Sequence, residues 1–443
     1  MKIADFFRQL RGKITGLNAI SARFDMLQSQ INILLADKGE ANKAVKKIED
    51  VAEKVERLLI SLQRVKTSNA QLPRIFKPKN SLPLIANCDP DFNSSSRLAF
   101  LVHSLELCNH FGPVWDMLPK GSFDVLLHGL DEIEARNVLD QWHCQIYKTD
   151  EVLGSGTRYA YLVSNHPVDI SSPPLIRRLA YHNVRYMYAA GKSGWNLSGW
   201  NALYDVILSF GPFHAKAFAE VSEATVVQMG YPRFDRFFNE QPDKIELLSR
   251  YGCAPSRKTV VWLPTWKELS SVGWFDDEIS NLTSQYNVVV KLHPLMTEHE
   301  YERAQSLEKH RFNCLITDAS DNLPLYQLAD FMLFDYGGPP MAAIYADKKL
   351  LLLDVPGAEN DPLTGLDSPD VAIRKTFGSV THVQHGIASQ LANANMWEEQ
   401  ALKRRQVRNA YFAPYYGFSA SVAANALMHL EALVKNCSSE PSR

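Results

Sequence analysis

The hydrophobic pattern changes period once along the chain, near residue 97. Upstream, apolar residues recur at heptad spacing. Leu10, Leu17, Phe24 and Ile31 occupy one position of the repeat, and Ile20, Leu27 and Leu34 the other. After Lys38-Gly39 the register resumes through Ala41, Val45, Ile48, Ala52, Val55, Leu59 and Leu62. Heptads sustained in one phase predict a coiled coil, and a lysine at a core position helps set register or strand number. The polar interruption at residues 37–40 leaves an antiparallel hairpin within one chain as the alternative. Ahead of it, Phe6, Phe7, Leu10 and Ile14 share one helical face, flanked by Lys2, Arg8, Arg11 and Lys13. Such a basic amphipathic helix suits an anionic membrane surface, or packs on the protein itself. Residues 1–66 are thus read as amphipathic helix and coiled coil. Residues 67–95, rich in Pro, Asn and Ser, read as a linker.

Downstream, short apolar runs alternate with amphipathic helical stretches. Runs at 98–104, 123–129, 183–188 and 205–210 precede a closing segment at 224–237, and further runs lie at 258–266, 288–292, 314–317, 331–334 and 350–353. Strands apolar on both faces and separated by helices predict buried parallel sheets in an α/β fold. We expect two Rossmann-like, doubly wound domains over residues 96–240 and 241–395. Helices over 396–436 would pack back across the cleft. Two such domains meeting at the C-terminal ends of their strands form a ligand cleft between them.

Composition narrows this picture. Apolar residues make up 46% of the 443, enough for two cores, and a formal net charge of −2 argues against a uniformly basic nucleic-acid binder. The six cysteines (Cys88, Cys108, Cys144, Cys253, Cys314 and Cys437) show no metal-ligand spacing and suggest reduced, structural thiols. No run approaches the roughly 20 apolar residues of a membrane-spanning helix. The expectation is a cytoplasmic protein, placed at the inner face of the plasma membrane if the N-terminal helix binds lipid.

The candidate chemistry concentrates in residues 288–354. The run at 288–292 stops at His293-Pro294, and the run at 331–334 stops at Asp335-Tyr336-Gly337-Gly338 before a small-residue helix begins at Pro339-Pro340. Strand, glycine turn, helix and strand make a βαβ crossover, where glycines let backbone approach a ligand and the helix N-terminus attracts an anion. A diphosphate site at 337–341, with His293 reaching towards it, is one reading; an ordinary tight turn is the other.

Five segments in order carry a resemblance. Gly230-Tyr231-Pro232-Arg233-Phe234-Asp235, Leu263-Pro264-Thr265-Trp266-Lys267, Val290-Lys291-Leu292-His293-Pro294, the stretch from Ala329-Asp330 to Asp335-Tyr336-Gly337-Gly338, and Tyr416-Gly417-Phe418-Ser419-Ala420-Ser421 are similar to GYPRND, APTWR, RLHP, SD…TDYSS and DGKAS. Between about residues 97 and 430 the chain resembles the CDP-glycerol glycerophosphotransferase family of teichoic-acid polymerases. That resemblance implies the two-Rossmann GT-B fold and a transferase moving glycerol phosphate, or a sugar, from a nucleotide-linked donor to a polymer or lipid-linked acceptor. No cofactor beyond the activated donor is implied. The donor diphosphate falls to His293, Asp335, Gly337 and Gly338, with Thr265, Lys291, Met341 and Arg233 as further donor-binding candidates. Asp335 is equally read as a residue that bonds its own turn.

One segment departs from the family. Where it carries WHGTPLK, this chain reads Ala189-Ala190-Gly191-Lys192-Ser193-Gly194-Trp195, with alanine in place of the histidine that activates the acceptor hydroxyl. His166, ending the SNHP segment, is the substitute base to consider, and Lys192 is a second if strongly desolvated. Two alternatives stay open: an enzyme similar to UDP-N-acetylglucosamine 2-epimerases or another GT-B sugar-nucleotide enzyme, and a non-catalytic scaffold assembled as a homo-oligomer through residues 10–62.

Overall fold

In the computed structural model the described residues are 97–191, 196–318, 320–358, 368–383 and 386–435. All fall within the compact unit Lys79–Arg443. The amphipathic helix, coiled coil and linker expected upstream lie outside the described residues, as does Lys192.

Two parallel sheets organise this unit. The first contains β1 (Leu98–Val102), β2 (Phe123–Leu127), β3 (Gln145–Lys148), β4 (Tyr159–Ser164), β5 (Ala180–Tyr186), β6 (Val206–Ser209) and β7 (Thr225–Gln228). Their order is β3-β2-β1-β4-β5-β6-β7, and every pairing is parallel. The second contains β8 (Thr259–Leu263), β9 (Asn287–Lys291), β10 (Cys314–Ile316), β11 (Phe331–Phe334), β12 (Lys349–Asp354) and β13 (Val380–Thr381), ordered β10-β9-β8-β11-β12-β13. In both sheets the order reverses beside the first strand of the set, between β1 and β4 and between β8 and β11. Loops leaving the strands at such a switch point diverge to opposite faces and open a crevice.

The strands form where the apolar runs predict. β1, β2, β8, β9 and β11 are buried along their whole length. In the first domain Phe100, Phe111, Trp115 and Phe123 pack ring against ring, with Trp115 stacked on Phe123 at 5.6 Å. Burying a side chain of this size contributes roughly 1.5–3 kcal/mol. In the second, the fully buried Trp262 donates its indole N–H to Ser271 at 3.0 Å, which removes the cost of burying that polar atom. β8 stops at Leu263 because Pro264 has no N–H with which to continue the ladder.

The last helices join the two domains. Ala394–Tyr411 lies against β12, where Gln400 exchanges hydrogen bonds with both backbone groups of Leu350. Past its end, Ala413 N–H donates to Phe210 O in the first domain, and Phe412 packs on Phe210, Tyr231 and Tyr345. Helix Ser419–Met428 then begins on the first domain: the Asp235 carboxylate accepts from Ser419 N–H at 3.0 Å and Ala420 N–H at 2.6 Å. Ser419 Oγ in turn accepts from Tyr231 N–H. Among the described residues no helix is long and apolar enough to cross a membrane.

Candidate functional site

A cavity of about 220 Å³ opens where the C-terminal ends of both sheets face each other. The first domain lines it with Glu106 and His110 after β1, Tyr188 and Ala190 after β5, and Tyr231 and Arg233 after β7. The second contributes Thr265 and Trp266 after β8, Lys291 and His293 from the end of β9, and Tyr336, Gly337 and Gly338 after β11. Six of the residues singled out in the sequence (Arg233, Thr265, Lys291, His293, Gly337 and Gly338) therefore meet in one space.

His293 owes its orientation to the following helix. Its Nδ1 accepts from Leu295 N–H at 3.2 Å, capping Pro294–His299, so in the neutral ring the other nitrogen, Nε2, carries the proton. Its ring stacks on Trp266 at 5.9 Å and 16°. Lys291 is 4% exposed, and its ammonium donates to Asp318 O at 2.6 Å; burial lowers its pKa. Arg233 bridges the domains, donating to His110 Nε2 at 2.9 Å and to Asp321 at 2.8 Å, with Glu106 at 3.7 Å. Burial pulls its pKa down, but Asp321, Tyr231 and Glu106 together more than offset this and raise it above the ordinary value.

The glycine turn is held from behind. Asp335 is buried, and its carboxylate accepts from four donors: the N–H of Thr265, Ser271 and Tyr336, and the Ser271 hydroxyl. Burial nevertheless pushes its pKa up to about 6. Arg374 lies over the Tyr336 ring at 3.8 Å and donates to Asp335 O. Asp335 thus ties the loop after β8 to the end of β11 and is absent from the cavity wall. Gly337 sits at φ 111°, a conformation that side-chain-bearing residues rarely adopt. The first-domain loop touches this turn: a Cβ on Gly191 would lie 3.1 Å from Gly337 O.

The helix Pro339–Tyr345 is a poorer source of donors than its position suggests. Pro339 and Pro340 have no N–H, and Met341 N–H donates to Gly338 O at 3.1 Å. Met341 itself is fully buried. The cationic side chains that line the cavity are Arg233 and Lys291, with His293 beside them.

In the first domain, His166 lies two residues past β4 and outside the cavity wall. Its Nδ1 accepts from Val168 N–H at 2.9 Å, its ring lies 4.6 Å from that of His103, and burial lowers its pKa to about 4. Ala190 does line the cavity, and its carbonyl lies 3.3 Å from Nε2 of the buried His214. Sequence reasoning passed over Glu106 and His110. They follow β1, the strand at the switch point, and that topological rule is the signal by which they are found. Among the described residues no group of three or more His, Cys, Asp or Glu is placed to hold a metal ion.

Comparison with known proteins agrees with the motifs. Residues 175–338 match the family model for CDP-Glycerol:Poly(glycerophosphate) glycerophosphotransferase. A teichoic acid glycerol-phosphate primase from Bacillus spizizenii (strain ATCC 23059 / NRRL B-14472 / W23) is 28% identical over 144 residues, covering 31% of this chain and 36% of that protein. The chain thus matches little more than a third of that relative's length. Among solved structures, a CDPG-soaked variant of the wall teichoic acid polymerase TagF superposes with a TM-score of 0.57 at 13% identity, over 87% of this chain and 100% of the chain in that structure. A further structure of the polymerase gives 0.55 at 13% identity, over 89% of this chain and 99% of that one. At that identity the likeness shows the fold alone. The chain resembles the CDP-glycerol glycerophosphotransferase family, as its motifs imply, with the family match concentrated in residues 175–338.

Proposed function

We propose that the protein is a transferase that moves glycerol phosphate from a CDP-glycerol-like donor to a hydroxyl of a cell-surface polymer or its lipid-linked precursor. The observation that carries this reading is the convergence of Arg233, Lys291 and His293, from both domains, on one cavity beside the Gly337-Gly338 turn. Two cations and an imidazole N–H match the charge of a diphosphate. Because they are held in place before substrate arrives, they stabilise charge without reorganising.

The reaction divides between the two walls. The acceptor hydroxyl oxygen bonds to the phosphorus of the glycerol phosphate group as the bond from that phosphorus to the CMP oxygen breaks. Lys291, Arg233 and the His293 Nε2–H neutralise charge on the phosphoryl oxygens and on departing CMP, as is general in phosphoryl transfer. Asp335 acts at one remove by fixing the turn. The donor is consumed as substrate, and no separate cofactor enters the scheme. The heptads and basic N-terminal helix support a homo-oligomer held in the cytoplasm against a membrane that carries the acceptor.

A scaffold without activity is the second reading, favoured by alanine at position 190. Incubation of the pure chain with CDP-glycerol and a glycerol-phosphate-primed lipid separates the two. Release of CMP that depends on the acceptor is expected. Tight CDP binding without turnover, or no binding at all, would sink the transferase and leave the scaffold.

A further inference from the structure

We propose that the Glu106 carboxylate is the general base that takes the proton of the acceptor hydroxyl, an assignment that rests on the transferase reading above. The donor-side groups occupy the second-domain wall together with Arg233, so the base belongs on the first-domain wall of the same cavity. There the proton acceptors to weigh are Glu106, His110 and the tyrosines.

His110 is already engaged. It is 3% exposed, and its Nε2 accepts from the Arg233 guanidinium at 2.9 Å, so a proton added there would face a buried cation. Burial and that cation hold its pKa well below the ordinary value. Tyr188 and Tyr231 are phenols whose pKa burial raises further, and they stay protonated. Position 190 offers only a methyl group. His166 lies off the cavity wall with its Nδ1 accepting from Val168 N–H. Asp321 pairs with Arg233 at 2.8 Å and does not line the cavity.

Glu106 differs from all of these. Among the described residues that line the cavity it is the one carboxylate. It sits in the 3-10 turn Leu105–Leu107, where the chain leaves β1 at the switch point. Its side chain is 60% exposed and 3.7 Å from Arg233, so it is free to swing between that guanidinium and an incoming hydroxyl. Once a donor phosphoryl group engages Arg233, Glu106 is released from its partner beside the reacting phosphorus. The hydroxyl oxygen then bonds to phosphorus, its proton passes to a Glu106 carboxylate oxygen, and the bond to CMP breaks. Glu106 afterwards returns the proton to solvent.

Positioned bases contribute about 10²–10⁴-fold. In the full chain, Glu106→Gln is expected to lower kcat for acceptor-dependent CMP release by about 100-fold or more. The affinity for CDP, read by calorimetry, should not fall by more than about threefold, because Arg233, Lys291 and His293 remain and Arg233 loses only a competing partner. Formate added to Glu106→Ala should restore turnover, which a mere loss of packing would not allow. An active wild type whose Glu106→Gln variant keeps more than a tenth of kcat, or loses CDP affinity along with turnover, overturns the assignment. So does an Ala variant that formate leaves unchanged. Absence of acceptor-dependent release in the wild type would instead overturn the transferase reading, and the base with it.

Discussion

Lys291 and Asp335 both sit in the motif region, yet the structure gives them opposite tasks. Lys291 lines the cavity with a backbone acceptor, Asp318 O, and on the proposed transferase reading supplies charge for a diphosphate. Lys291→Met keeps most of the buried stem and removes that charge. CDP affinity should fall about 10-fold or more, the scale of one lost charge-assisted contact; unchanged affinity in a titration would remove Lys291 from the donor site. Asp335 faces the backbone. Asp335→Ala would strand four donors behind the turn and should cost about 3–5 kcal/mol, seen as a lower midpoint in urea. Both residues were visible in the sequence as members of motifs. Which one lines the cavity was not, because a strand-end carboxylate can cap a turn or face a cleft with the same local spacing.

At the scale of elements, two motifs far apart in the chain turn out to be one clasp. Asp235, from the segment after β7, caps helix Ser419–Met428, and Gly230 packs so closely on Ser419 that an added Cβ would lie 2.3 Å from its hydroxyl. Asp235→Ala removes that cap. The expected loss is about 1–2 kcal/mol, with faster proteolysis of the C-terminal helices than of the sheets; a digestion pattern like that of the parent chain would contradict the clasp. The sequence marks both segments, one closing the first domain at 224–237 and the other within the C-terminal helices. Their pairing is not legible there, since the contact spans 184 and 185 residues and leaves no periodic trace. The helix at Pro339–Tyr345 shows the reverse. The proline pair marked its start, but the resulting shortage of N–H donors emerges only when the Met341 hydrogen bond is known.

For the whole molecule, buried titratable groups pull in opposite directions. Burial raises Asp235 and Asp335 from 3.8 to about 6. Their contribution to stability is complete below the unfolded value and is lost as pH rises through 6. Burial lowers His166 and His214 from 6.5 to about 4. Their contribution is present above the unfolded value and is lost as pH falls through 4. Burial also lowers His103 and His110 and raises Asp276, so four histidines stand against three carboxyls among the described residues and stability should rise with pH between about 4 and 6.5. His214→Gln removes one such group and should lessen the slope by up to about 1.4 kcal/mol per pH unit. Melting temperatures across that range test it, and an unaltered slope would show that His214 titrates normally in the fold.

Two parallel sheets and their approximate strands were determined by the sequence alone, because a buried strand needs a short apolar run and a crossover needs a helix. The family resemblance was likewise legible in five short segments. What only the tertiary structure decided was which loop ends share a cavity. The walls come from strands of two different sheets, so the approach of Glu106 and Arg233 to Lys291 and His293 depends on how the two sheets pack. Local patterning carries no record of that packing. The sequence therefore points to His166 and Lys192 for the acceptor base; His166 lies past β4 where the cavity does not reach, while Glu106, in a turn no motif marks, lines it.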